Sequence, residues 1–231
     1  MSKRDELREK RRKAERRNRI VWIVVISIVV VAVVAAFVVP AAIDALTPVT
    51  DIKTITPKSH PQANGNSMGD PNAPVKVEEF SDFQCPFCKK YTDEMEQGIS
   101  DKYVKTGKVY FTYTSWPFIG TESDQSAKAA LCASEQGKFW DMHDIIFANQ
   151  GQERSGALSD KRLKAMAQSI GLDMGKFNAC FSSDKYDSQI AQDKVRGDQL
   201  GIVSTPSFIV NGKMADLNTL SQTIDGALAA K

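Results

Sequence analysis

Apolar residues fall along this chain in three patterns, and each predicts a different kind of element. From Ile20 to Val39 they are unbroken, IVWIVVISIVVVAVVAAFVV, with Ser27 the one polar side chain and no charge. A helix of about 20 such residues spans the roughly 30 Å of hydrocarbon in a bilayer and satisfies its own backbone where no water is available. Residues 20–39 are therefore expected to form a transmembrane helix. Residues 40–72, PAAIDALTPVTDIKTITPKSHPQANGNSMGDPN, sustain neither a helical nor a strand period and are rich in Pro, Asn, Ser, Thr and Gly. That composition predicts a flexible tether, with a folded domain over 73–231.

The third pattern is a succession of short periodic runs inside that domain. Val75 to Phe80 alternates as a strand does. Beyond Cys85, the residues Phe87, Tyr91, Met95 and Ile99 recur at helical spacing, and Pro86 suits the first turn of the helix they predict. Lys108 to Phe118, KVYFTYTSWPF, is dense in β-branched and aromatic residues and reads as the next strand. Residues from about 121 to 200 form three helical stretches, two of which open on Ser-Asp at an N-cap position. Asn211-Gly212 between Ser207–Val210 and Lys213-Met214 signals a hairpin, and an amphipathic helix closes the chain. The order is a βαβ unit and a ββα unit separated by a helical insertion, an α/β fold.

Charge adds orientation. Residues 1–19 carry ten Lys or Arg against four Asp or Glu, while the whole chain is only +2, so everything after them is net negative. A basic flank before the apolar span places the N-terminal tail in the cytoplasm and the domain outside it. Cleavage as a signal peptide is the competing reading, since small residues surround Pro40, but the span exceeds the roughly 7 to 15 apolar residues of a signal. An acidic domain lacks the clustered basic face that phosphate binding needs, which excludes nucleic acid as the partner.

The chemistry is concentrated at Cys85-Pro86-Phe87-Cys88. Cysteines at i and i+3 on the first turn of a helix share a face and can close a small disulfide ring. Cys85 would stand at the helix N-terminus, where unpaired N–H groups stabilise a thiolate. A substrate thiolate could attack its sulfur, and Cys88 would leave and later close the ring again. A CxxC is also half of a zinc site. The two remaining cysteines, Cys132 and Cys180, stand alone without paired ligand spacing, so no metal is expected. In an exported domain they are more simply a structural disulfide, with two separate buried thiols as the alternative.

Three segments, FSDFQCPFC (80–88), LCASEQGKFWDMHD (131–144) and GIVSTPSFIVNG (201–212), resemble the DsbA-like proteins of the thioredoxin superfamily over roughly Ala73 to Lys231. The resemblance implies a thioredoxin fold with an inserted helical domain. It implies that Thr205-Pro206 is a cis peptide facing the CxxC, beside backbone groups that bind an extended substrate segment. It also implies that Glu79, six residues before Cys85, is a buried acid that exchanges protons with Cys88. The activity implied is that of a monomeric thiol:disulfide oxidoreductase, introducing disulfides into reduced or unfolded exported proteins. It would need no organic cofactor and would be re-oxidised by a quinone-linked membrane partner of the DsbB or vitamin K epoxide reductase (VKOR) type. Pro86-Phe87 departs from the family in lacking a histidine between the cysteines, which leaves the oxidising strength open. A reductase or isomerase using the same site, or a chaperone module with an inert CxxC, are the rivals. His143, beside Phe139 and Trp140, reads as a packed histidine, and His60 as part of the tether.

Overall fold

The computed structural model describes residues 3–230 and contains two compact units, 3–50 and 51–230. The first is a single helix, α1 (Lys3–Leu46), whose stretch from Lys10 to Pro40 is long and apolar enough to cross a membrane. A helix apolar on all sides suits hydrocarbon rather than water. Two expected boundaries move. The basic tail is helical from Lys3, because Lys, Arg, Glu, Ala and Leu are strong helix formers. The helix also runs through Pro40 to Leu46, since AAIDAL propagates it past the one N–H that proline removes.

In the second unit a five-stranded sheet has the order β1-β3-β2-β4-β5. Its strands are β1 (Ser67–Met68), β2 (Val75–Ser81), β3 (Val109–Ser115), β4 (Ser207–Val210) and β5 (Lys213–Ala215). β2 and β3 run parallel, with Val75 opposite Val109 and Glu79 opposite Tyr113, and the other pairs are antiparallel. The β2–β3 crossover holds α2 (Pro86–Glu94), α3 (Glu96–Ile99) and a π-helical turn, Ser100–Val104. The single helix expected there is thus broken at Met95. Asn211 and Gly212 both take positive φ, 46° and 85°, the backbone that a tight hairpin turn demands. α9 (Leu220–Ala229) closes the chain.

The insertion contains α4 (Thr121–Ser134), α5 (Phe139–Ala148), α6 (Asp160–Ser169), α7 (Met174–Phe181) and α8 (Asp187–Gln199). α7 was not among the three stretches read from the sequence; it is short, and Asp173 caps it by accepting from the Gly175 and Lys176 amides. Ser159 holds the N-cap of α6 without a side-chain bond, and α8 starts at Asp187 instead of at Ser183-Asp184. Cys132 on α4 and Cys180 on α7 are joined by a disulfide with Cα atoms 5.8 Å apart. The core runs from the sheet into the insertion through Phe83, Tyr91, Phe111, Tyr113, Phe139 and Trp140.

Residues 51–72, expected as tether, lie against the domain. Asn149 accepts from the Lys53 amide at 2.8 Å and donates to its carbonyl at 2.9 Å. Asp51 pairs with Arg162, Ile52 and Ile55 pack on the core, and Ser67-Met68 adds the edge strand β1. These anchors are too widely spaced to make a period, so a segment ordered wholly by distant partners carries no local signal.

Candidate active site

β2 ends at Ser81, and a loop of three residues delivers the chain to Cys85, the N-cap of α2. Asp82 builds the loop. Its carboxylate accepts from the amides of Gln84 (2.8 Å), Phe118 (2.9 Å) and Ile119 (3.2 Å), and its carbonyl accepts from the Cys85 amide at 2.9 Å. Gln150 braces the loop from the insertion, donating to the carbonyls of Phe83 (2.6 Å) and Cys85 (3.0 Å). Gln84 donates to the Ser123 hydroxyl and accepts from the Arg154 amide. Sequence reasoning missed all of these. Asp82 had a legible signal, an acidic residue just before a helix start, whereas Gln150 lies too far along the chain to have one.

Cys85 and Cys88 are both free thiols here. Cys85 is 4% exposed and Cys88 is fully buried, while Phe87 between them is 62% exposed. Pro86 occupies the first turn of α2, where its missing N–H costs no hydrogen bond. The Cys85 thiol lies 3.3 Å from the Thr205 carbonyl, and Thr205-Pro206 is cis. The structure therefore brings Cys85, Cys88, Thr205 and Pro206 together.

The two thiols differ electrostatically. Cys85 is pulled down to about 6, chiefly by the Cys88 thiol bonding to its sulfur, with the Thr205 side chain and the Cys88 and Phe87 amides adding to the effect against burial. Cys88 is pushed well above the ordinary thiol range by burial, by the neighbouring Cys85 and by the charge of Glu79. Glu79 points inward from β2 with 0% exposure, and burial, reinforced by Cys85, raises it to about 8. Glu78 points the other way, to Thr114 and Arg196, so of the two adjacent carboxylates only Glu79 faces the thiols.

Among the described residues Glu96, His143 and Asp144 are a buried group whose ligand atoms lie within 4.8 Å of one another. Both Asp144 oxygens are already taken, by His143 (2.9 Å) and His60 (3.0 Å). That leaves one carboxylate and one imidazole nitrogen, fewer than the three or four protein ligands of a zinc centre. Cys132 and Cys180 are bound to each other.

A parallel βαβ unit, an antiparallel hairpin, a CxxC at a helix N-terminus and a facing cis-proline define the class of thioredoxin-fold redox proteins. A family model described as thioredoxin matches residues 62–229. The probable disulfide bond formation protein D of Bacillus anthracis is 30% identical over 168 residues, covering 70% of this chain and 77% of that protein. Disulfide bond formation protein D of Bacillus subtilis is 28% identical over 173 residues, covering 71% and 77%. Among solved structures, oxidised BdbD from Bacillus subtilis superposes with TM-score 0.66 at 24% identity, covering 74% of this chain and 97% of that one. A thioredoxin-like oxidoreductase from Silicibacter pomeroyi gives 0.60 at 30%, covering 71% and 92%. The chain belongs to the thioredoxin superfamily, in its DsbA-like branch.

Proposed function

We propose that this protein is a membrane-anchored dithiol oxidase that introduces disulfide bonds into reduced proteins outside the cytoplasm. One observation carries the reading: the asymmetry of the redox pair, with Cys85 at the N-cap of α2, its sulfur bonded by the Cys88 thiol and its pKa drawn down to about 6, against a fully buried Cys88 whose pKa is pushed up. In the oxidised enzyme a substrate thiolate attacks the Cys85 sulfur, the Cys85–Cys88 bond breaks, and its electron pair leaves on Cys88, which takes a proton. The substrate's second thiolate then attacks its own sulfur in the mixed disulfide. The substrate departs oxidised, and Cys85 leaves as a stabilised thiolate. Glu79, buried on the Cys88 side, supplies the proton that Cys88 takes.

The exposed Phe87 and the segment at Thr205-Pro206 border the attacked sulfur. An extended substrate segment laid beside Thr205 would be held through its main chain, a mode that tolerates many sequences. The disulfide is itself the two-electron carrier, so the cycle needs an oxidant and no organic cofactor or metal. A quinone-linked membrane protein of the DsbB or VKOR type fits the requirement, because anchoring by α1 keeps enzyme and oxidant at the same bilayer. The basic tail sets that anchor with the N-terminus in the cytoplasm, and the enzyme acts as a monomer. The test is oxidative refolding of a reduced protein substrate. Cys85→Ser is expected to abolish disulfide formation, and Cys88→Ser, loaded at Cys85 as its mixed disulfide with glutathione, to exchange glutathione for the substrate and accumulate the enzyme–substrate mixed disulfide. Full activity in Cys85→Ser would overturn the assignment.

A further inference from the structure

A second set of buried titratable groups lies behind the redox pair. Glu96 on α3 is 2% exposed and sits against His143 and Asp144 on α5, all within the core. Lys58 and His60, from the docked segment 51–72, cover them. His60 Nε2 is 3.0 Å from one Asp144 oxygen and His143 Nδ1 2.9 Å from the other. The Glu96 carboxylate lies 3.8 Å from His143 Nε2 and 3.7 Å from the Lys58 ammonium, which is 28% exposed and so reaches solvent. The Asp144 bonds fix the two histidines and leave Glu96 without a hydrogen bond among the described residues. Both Glu96 oxygens, His143 Nε2, both Glu79 oxygens and the hydroxyls of Tyr91 and Tyr113 are buried without a hydrogen-bond partner among the described residues. A buried polar atom left unpaired costs about 1–3 kcal/mol, so a whole row of them in one region calls for a role that needs them.

Glu79 stands opposite Tyr113 in the β2–β3 register. Tyr91 follows Cys88 by one helical turn, and the charges of Glu79 and Glu96 both act on it. The Tyr113 ring is 4.9 Å from that of His143. Glu79 thus faces Cys85, Cys88 and Tyr91 from α2, Tyr113 from β3 and Glu96 from α3, with apolar Phe208 opposite it on β4. Glu96 faces His143 and Asp144 from α5, Lys58 from the docked segment, and Glu79.

We infer that bound water and the hydroxyls of Tyr91 and Tyr113 join Glu79 to Glu96, and that Glu96, His143, Asp144 and His60 form the limb through which the Cys88 proton exchanges with solvent beside Lys58. The inference rests on the reading of Cys85 and Cys88 as the redox pair. When a dithiol reduces the enzyme, the electron pair of the broken S–S bond goes to Cys88 sulfur, which takes the Glu79 proton. Glu79 is reprotonated from Glu96 along the water and tyrosine chain, and Glu96 recovers its proton from solvent. Re-oxidation runs the same path outward. Buried waters bridging otherwise unpaired groups are the ordinary means of such transfer.

The test uses the full chain in detergent, with dithiothreitol as the reductant. Its rates are divided by the dithiothreitol thiolate concentration and followed from pH 5 to 9, alongside the redox-difference infrared spectrum. Glu96→Gln is expected to slow reduction about tenfold at pH 7, less than the roughly 10²–10⁴ of a donor acting directly on the reacting atom because Glu96 acts through Glu79, and to remove one of two carboxylic-acid bands that change with redox state. Lys58→Ala, a solvent-reaching position that decides the matter if Glu96→Gln fails to fold, is expected to move the profile to higher pH by removing the cation that favours the Glu96 carboxylate. Profiles and spectra in both variants that superimpose on the parent would overturn the relay. A parent pair that dithiothreitol cannot reduce would overturn the redox reading itself and the relay with it, a failure visible before any variant is made.

Discussion

Cys85 and Cys88 are the same residue type three positions apart, and everything that separates them is environment. Cys85 sits at the open end of α2, where its sulfur receives the Cys88 thiol and faces the first amides of the helix. Cys88 lies one turn deeper, against Glu79. A thiol at about 6 predicts that alkylation of the reduced protein by iodoacetamide follows a titration near pH 6 and not near the free-thiol value of about 8.5. The sign of the linked stability effect follows. A depressed folded pKa contributes stability fully present above the unfolded thiol pKa and lost as pH falls through the folded value. The reduced form should therefore gain unfolding free energy relative to the oxidised form between about pH 6 and 9. Glu79, raised to about 8 chiefly by burial, pulls the other way between about 4.5 and 8. Comparing reduced with oxidised protein removes most of its contribution. Guanidinium unfolding of both forms across that range measures the difference, and a flat difference would contradict the depressed thiol.

At the scale of elements, the disulfide between α4 and α7 closes a loop with a sequence separation of 48. In the chain-entropy picture such a loop contributes about 4 kcal/mol through the unfolded state. Replacing Cys132 and Cys180 together by Ser is expected to lower stability by about that amount, read by denaturant titration, while leaving the Cys85 alkylation profile in place. Elements also show what the sequence could and could not reveal. The strand before the CxxC, the Asn211-Gly212 hairpin and the long helical block were legible because each carries its own period or turn residues. The kinked crossover at Met95 and the short α7 were not, since neither is long enough to show a period. Residues 51–72 carry no such signal for the opposite reason, because Lys53, His60 and Ser67 are ordered by Asn149, Asp144 and β3 far along the chain.

That docked segment matters to the whole molecule. It closes the edge of the sheet through β1 and brings Lys58 and His60 over the buried Glu96, His143 and Asp144. The core therefore holds a redox pair at its surface and a file of ionisable groups beneath it. The first unit, α1, is long and apolar enough to cross a bilayer. The motif residues at 85–88 and 205–206 could be named in advance because chemistry restricts them to few residue types. The groups behind them could not, because Tyr91, Glu96 and Tyr113 each look like ordinary helix or strand residues until the fold sets them beside Glu79.

The central claim, that the Cys85/Cys88 pair donates its disulfide, is tested most directly by its reduction potential, measured by equilibrating the protein with graded glutathione buffers. A thiolate stabilised at Cys85 favours the reduced form, and the account predicts a value between about −180 and −120 mV, the range of disulfide donors. A value near about −270 mV, that of a thioredoxin-like reductant, would contradict it and reverse the direction of the reaction at the same site.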